Sequence, residues 1–176
     1  MLITNEQNLF NVENVSHVDQ LKRMVTCQGQ HWPDSDILEH NQFQVARVLV
    51  FEAMYEVIAK GRCDLFPRGI HEIFPEYATF KAQHPNLRIA NNIILHYQAP
   101  VYFFVGKQNQ ELANRIELGL KRLNNTGAFE MLLKQSPITA NMFPLEQWQN
   151  SQVFELENPN QDRRLDTSQL IKLGKQ

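Results

Sequence analysis

The sequence predicts an α/β fold: an open, mostly parallel sheet with helices on both faces. Two observations carry this. Apolar, strand-like runs recur at Met24–Cys27, Gln44–Val50, Cys63–Phe66 and Leu87–Leu95, with stretches of helical period between them, and strands alternating with helices at this spacing put helices on the faces of a parallel sheet. The 176 residues are 43% hydrophobic and 20% charged, a globular composition. At that length about two-thirds of the unfolded surface is buried, so neither a disulfide nor a metal is needed to hold a core.

Along the chain, Leu9–Val12 is a short apolar segment whose partner is open. Ser16 can cap a short helix to Met24, with Gln20 closing a weak capping box. The strand Met24–Cys27 ends at Gln28-Gly29. Asp34 or Ser35 caps the next helix, where early carboxylates suit the positive helix end, and Asn41 stops it. After the strand Gln44–Val50, Phe51, Met54, Tyr55 and Ile58 lie at helical spacing up to a C-cap at Gly61. Ile70–Gln83 is helical, with Pro75 tolerated in its first turns. Leu87–Leu95 holds one or two short strands, and Pro100–Val105 is a further β-rich run. In the helix Asn109–Leu123, Leu112, Ile116, Leu120 and Leu123 share a face. Ala128–Lys134 is a second short helix, Val153–Leu156 is strand-like, and residues 158–176 read as a loosely packed tail.

Charge excludes several classes. Seventeen basic against nineteen acidic residues give a net of −2, which argues against nucleic acid as a partner and gives no polybasic patch for a membrane surface. The longest apolar runs are far shorter than the roughly 20 residues that span a bilayer, so no membrane insertion is expected. The first residues, Met1–Glu6, lack the basic and apolar regions of a signal peptide, so as written the chain is cytoplasmic or a piece of something longer. Cys27 and Cys63 read as buried free thiols; a disulfide needs Cα atoms within about 7 Å, which spacing alone does not fix.

In open α/β sheets, ligands bind outside the carboxyl ends of the strands, which selects two loops. The first is Gln28, Gly29, Gln30, His31 and Trp32, leading through Pro33 into a helix start. Gly29 allows a tight turn or close backbone approach, the helix start offers N–H groups to an anion, and Trp32 offers an apolar or stacking wall; equally, the loop is a plain βα turn with a buried Trp32. It is neither a phosphate-binding P-loop nor a dinucleotide fingerprint. The second loop runs from Pro67 to Glu72. Its Arg68 can hold a carboxylate in a bidentate fork or simply pair with Glu72. The six histidines are scattered, with no metal-binding or nucleophile motif, so no metal, cofactor or catalytic residue is expected. A hydrolase built on His31, Asp64 and His71 is the enzymatic rival.

At Ala59–Glu72 the chain reads AKGRCDLFPRGIHE and resembles the GRfDyfPRGvnE stretch of bacterial periplasmic solute-binding proteins of the polar-amino-acid ABC transporter type. Gln28–Asn41 resembles their GxGWPDtxILexNG, Leu95–Val105 their lrYPfPvYFFV, and Glu111–Leu133 their closing helices. The blocks stand in family order across residues 7–160. The resemblance implies the type II periplasmic-binding-protein fold, in which two α/β lobes joined by a hinge close on a ligand. Mapped onto it, 1–11 is a hinge-like segment, 12–97 the second lobe, 98–106 the return hinge strand, 107–157 the closing helices of the first lobe and 158–176 the tail. The first part of the first lobe has no counterpart in the sequence. Amino-acid binders of the wider family place an acidic residue for the ligand's ammonium about five positions after the aspartate matching Asp64; here Pro67-Arg68-Gly69 stands there.

The expectation is therefore a non-catalytic, periplasmic module, or remnant of one, binding an amino-acid-like or anionic solute through Gln28–Trp32, Arg68 and Glu72, with an ABC transporter permease as partner. The helix stripe with Phe129 and Leu132 would lack a covering sheet, which predicts a homodimer through Ile116, Leu120 and Phe129. The rival is an oligomeric interaction module that binds no ligand.

Overall fold

The computed structural model describes residues 1–160; most of the expected tail, 161–176, lies outside the described residues. The chain divides into two units, one of Met1–Ala99 with the segment from Leu145 onward, the other Pro100–Pro144.

In the first unit the elements are β1 (Leu2–Asn5), α1 (Glu6–Glu13), α2 (Val18–Lys22), β2 (Val25–Gly29), α3 (Pro33–His40), β3 (Gln44–Val48), α4 (Phe51–Ala59), β4 (Phe66–Pro67), α5 (Ile73–Phe80), β5 (Leu87–Ala90), β6 (Ile93–His96) and β7 (Gln152–Glu155). β2 and β3 are parallel, and β1 lies antiparallel between β4 and β5. The two sets are stitched together where Cys27 N donates to Leu65 O (2.8 Å) and Leu65 N donates to Val25 O (3.1 Å). The strands therefore run in the order β3-β2-β4-β1-β5, with β1 opposed to the rest. β6 and β7 form a separate parallel pair.

Side-chain alternation sends successive residues to opposite faces, and each face has its own helices. Leu2, Leu65 and Ala90 pack with Val12, Leu21 and Leu38 of α1–α3. Ile3, Cys27, Phe66 and Leu87 pack with Met54, Tyr55, Ile58 and Ile73 of α4 and α5. The α/β class, with helices on both faces, is what the structure shows.

Local chemistry explains the element ends. Asn5 caps α1 by accepting from Asn8 N at 3.0 Å. Gln20 Oε1 accepts from the N–H groups of Ser16 (2.7 Å) and His17 (3.0 Å), which secures α2. Pro33 opens α3, where its missing N–H costs nothing. Gly61, just past α4, takes φ 66°, a left-handed geometry suited to glycine.

The segment 1–11 holds the buried strand β1 and most of the helix α1. Several expectations change. The apolar segment Leu9–Val12, whose partner the sequence leaves open, lies within α1, and His17 rather than Ser16 stands at the N-cap of α2. Trp32 stands at the N-cap of α3, and neither Asp34 nor Ser35 does. α5 spans only Ile73–Phe80. Cys27 and Cys63 form a disulfide, their Cα atoms 5.7 Å apart, because β2 and the run into β4 are sheet neighbours.

In the second unit, α6 (Gln110–Asn125) and α7 (Ala128–Gln135) join through Thr126 and Gly127, with Gly127 at φ 71°. Asn109 caps α6 by accepting from Leu112 N at 3.2 Å. Neither helix has a buried residue. Pro100–Val105, expected as a return strand, has no helix or strand geometry. A strand persists only where neighbours take up its backbone groups, and no ladder among the described residues includes it.

Candidate functional site

The carboxyl ends of β2 and β4 lie side by side, and the loops that follow them meet. After β2 the chain turns sharply: Gly29 O accepts from Trp32 N (3.1 Å) and from Ser35 Oγ (2.6 Å). The turn folds the Trp32 indole back over Gly29, so closely that a Cβ there would lie 2.3 Å from indole Cδ2. Gln30 N donates to Val48 O at 2.9 Å, and Arg47 Nη1 donates to Gln30 O at 2.8 Å, tying the loop to β3.

Arg68 follows β4, its backbone exchanging 3.0 Å hydrogen bonds with Met1 in both directions. Its guanidinium lies 5.0 Å from the Trp32 ring centre, 5.3 Å from Phe66 and 5.5 Å from Phe51. Such cation–aromatic contacts are worth about 0.5–2 kcal/mol each. Glu76 grips it bidentately, accepting from Nε at 2.6 Å and from Nη2 at 2.5 Å, and Glu72 Oε1 lies 3.2 Å from Nη2. Tyr55 donates its hydroxyl to Glu76 at 2.7 Å. Burial works against the Arg68 charge, but the Glu76 hydrogen bonds and the two carboxylates hold its pKa above the ordinary value. Burial, then Glu76, pushes the Tyr55 hydroxyl well above its usual range. Tyr97, beyond β6, donates to Asp34 and is pushed up likewise, by burial first and then Asp34; the charges of Glu72 and Arg68 reach it too.

The expected site residues thus take different positions. Trp32, Arg68 and Glu72 come together. Gln28 is buried at 1% exposure, accepting from Gly29 N (3.2 Å) with its amide 3.5 Å from Pro67 O, so it spaces the two loops. Gly29 seats the indole. Gln30 contributes its backbone, and His31 is exposed. Glu72 Oε2 accepts from Gly69 N at 3.0 Å, leaving its carboxylate 36% exposed beside Arg68. The Arg68 side chain is only 10% exposed, and two carboxylates already occupy it, so an anion would have to displace one of them.

Asp64 stands at the other end of β2, accepting from Val25 N and from the Asn8 amide, both at 2.8 Å. It therefore does not join His31 or His71, and no hydrolytic triad forms from these three. Among the described residues no group of three or more His, Cys, Asp and Glu side chains is placed to hold a metal ion, and no helix is long and apolar enough to cross a membrane.

No protein-family model matches the chain, and no curated protein matches it. Among solved structures it is similar to a mutant of ArgBP from T. maritima, at 16% identity and a TM-score of 0.44, over 76% of this chain and 55% of that one. It is also similar to an ancestral arginine-binding protein bound to arginine, at 13% identity and a TM-score of 0.46, over 76% of this chain and 57% of that one. The chain spans just over half the length of each.

Glu76, Phe51 and Tyr97 join the rim, Tyr55 supports Glu76 from the core, and sequence reasoning does not pick these four out as site residues. Phe51 opens the helix that follows β3, so the strand-end rule that selected the other two loops also reaches it. Glu76 lies eight residues beyond Arg68, in the first turn of α5, and spacing does not single it out.

Proposed function

We propose that the chain is a non-catalytic module that binds a small polar, amino-acid-like solute at the carboxyl rim of its sheet, as part of an uptake receptor. The observation that carries this is the convergence of Trp32, Arg68 and Glu72 from two adjacent strand ends, where open α/β sheets hold ligands. The resemblance of both loops to solute-binding proteins supports the same reading. Trp32 supplies an apolar wall and Glu72 a partly exposed carboxylate.

Charge balance refines the ligand. Arg68 is matched by Glu76 and Glu72, and Asp34 stands at the same strand ends. A solute bearing an ammonium or guanidinium group is favoured over a purely anionic one. The Cys27–Cys63 disulfide supports an oxidising compartment such as the periplasm, and a transporter permease is the matching partner.

In the resembling receptors a second lobe closes over the ligand. A rim alone neither closes nor excludes water, so free amino acids should bind no tighter than about 1 mM, a gross affinity of about 4 kcal/mol. Calorimetric titration with arginine, glutamine and glutamate tests this. Arginine should bind more tightly than glutamate, and Glu72→Gln should weaken arginine binding. Equal binding of all three, unchanged in Glu72→Gln, contradicts the reading.

A further inference from the structure

The unit Pro100–Pro144 carries an apolar surface out of proportion to its size. Val101 is 96% exposed, Phe103 70% and Phe104 91%. At about 200 Å² per ring, Tyr102, Phe103 and Phe104 alone show solvent about 400 Å², and Leu112, Leu120 and Leu123, on the face of α6 that carries Ile116, extend the exposed apolar area. Monomers seldom tolerate a patch above about 300–600 Å², whereas one partner of a stable dimer contributes about 800 Å². The same surface holds a groove of about 570 Å³, lined by Val101, Phe103, Ile116, Leu120 and Phe129 among others. Tyr102 also lines the groove, and the Phe104 ring centre lies 6.5 Å from that of Tyr102, so groove and projecting ring adjoin, as a two-fold interface requires, since each copy must present both halves of the contact.

We propose that a second copy of this chain covers this face, Phe104 of each copy seating in the groove of the other between Ile116, Leu120 and Phe129. Charge fits a like partner. Lys121 pairs with Glu117 at 2.6 Å and Lys134 with Glu130 at 2.7 Å within each copy, so these four groups bring no unpaired charge to the contact and select for neither an acidic nor a basic partner. The proposal stands independently of solute binding.

Sedimentation equilibrium of the full chain tests it, across concentrations from about 1 to 100 μM. The expected result is a monomer–dimer equilibrium with the dimer at twice 20.6 kDa. Phe104→Glu and Leu120→Glu, each at an exposed position, should keep the far-ultraviolet circular dichroism of the parent and weaken dimerisation by about 30-fold or more, as for residues at the centre of an interface. If either variant fails to fold, nitroxide labels at position 118 of the unmodified interface read the contact directly through distances between copies. A monomer throughout the range, larger non-closing assemblies, or a dimer indifferent to the substitutions overturns the proposal.

Discussion

Trp32 is held in place by what Gly29 lacks. A methyl group at position 29 would sit 2.3–2.5 Å from three indole carbons, so the ring must leave its seat against Arg68. Gly29→Ala should therefore cost about 1–3 kcal/mol of stability and shift the tryptophan fluorescence; an unchanged spectrum and urea midpoint would show that the ring does not pack there. Arg68 works the other way, as the charge that makes its surroundings tolerable. Arg68→Met leaves Glu76, whose side chain is 19% exposed, without its cation, and breaking such a pair costs about 3 kcal/mol. Tyr55 and Tyr97 set an alkaline limit. Their folded pKa values are raised above the ordinary 10.0, so the neutral hydroxyl is favoured in the fold; that stability is complete below pH 10 and is lost as the pH rises above it. Each should cost about 1 kcal/mol at pH 11, and urea midpoints at pH 8 and pH 11 should converge in Tyr55→Phe and Tyr97→Phe. At this scale the sequence shows which strand ends matter, because a glycine and a tryptophan after an apolar run mark the turn. It does not show that Arg68 is already occupied, since Glu76 reaches it only through the placement of α5.

Between elements, the bond that spacing left open is the one that ties the rim's two strands. Cys27 on β2 and Cys63 before β4 are 36 residues apart, and closing a loop of that size restricts the unfolded chain by about 3–4 kcal/mol. Reduction should lower the urea midpoint by that amount, and thiol titration of the denatured chain should find no free thiol before reduction and two after; two free thiols at the outset would contradict the pairing. Helices with strong period, α4 and α6, were legible because one face repeats every three or four residues. β1 was not, because a buried strand of four residues lacks the length to declare a period. Pro100–Val105 failed as a strand for the opposite reason: its composition is strand-like, but strand geometry also needs a neighbour.

For the whole molecule, patterning predicted the layers correctly, helices on both faces of a sheet, because alternation along each strand must serve two cores at once. What patterning could not supply was the charge of the rim, where one arginine faces Glu72 and Glu76 and Asp34 accepts from Tyr97. That balance, more than any single residue, sets the proposed preference for a solute with a positive group. The most direct test is a two-dimensional ¹⁵N NMR titration of the intact chain with arginine to about 20 mM, a range that detects affinities near 1 mM. The account predicts saturable shifts concentrated at Gly29, Gln30, Gly69, Glu72 and the Trp32 indole N–H. Shifts absent from these groups, or spread evenly over the chain, would contradict it.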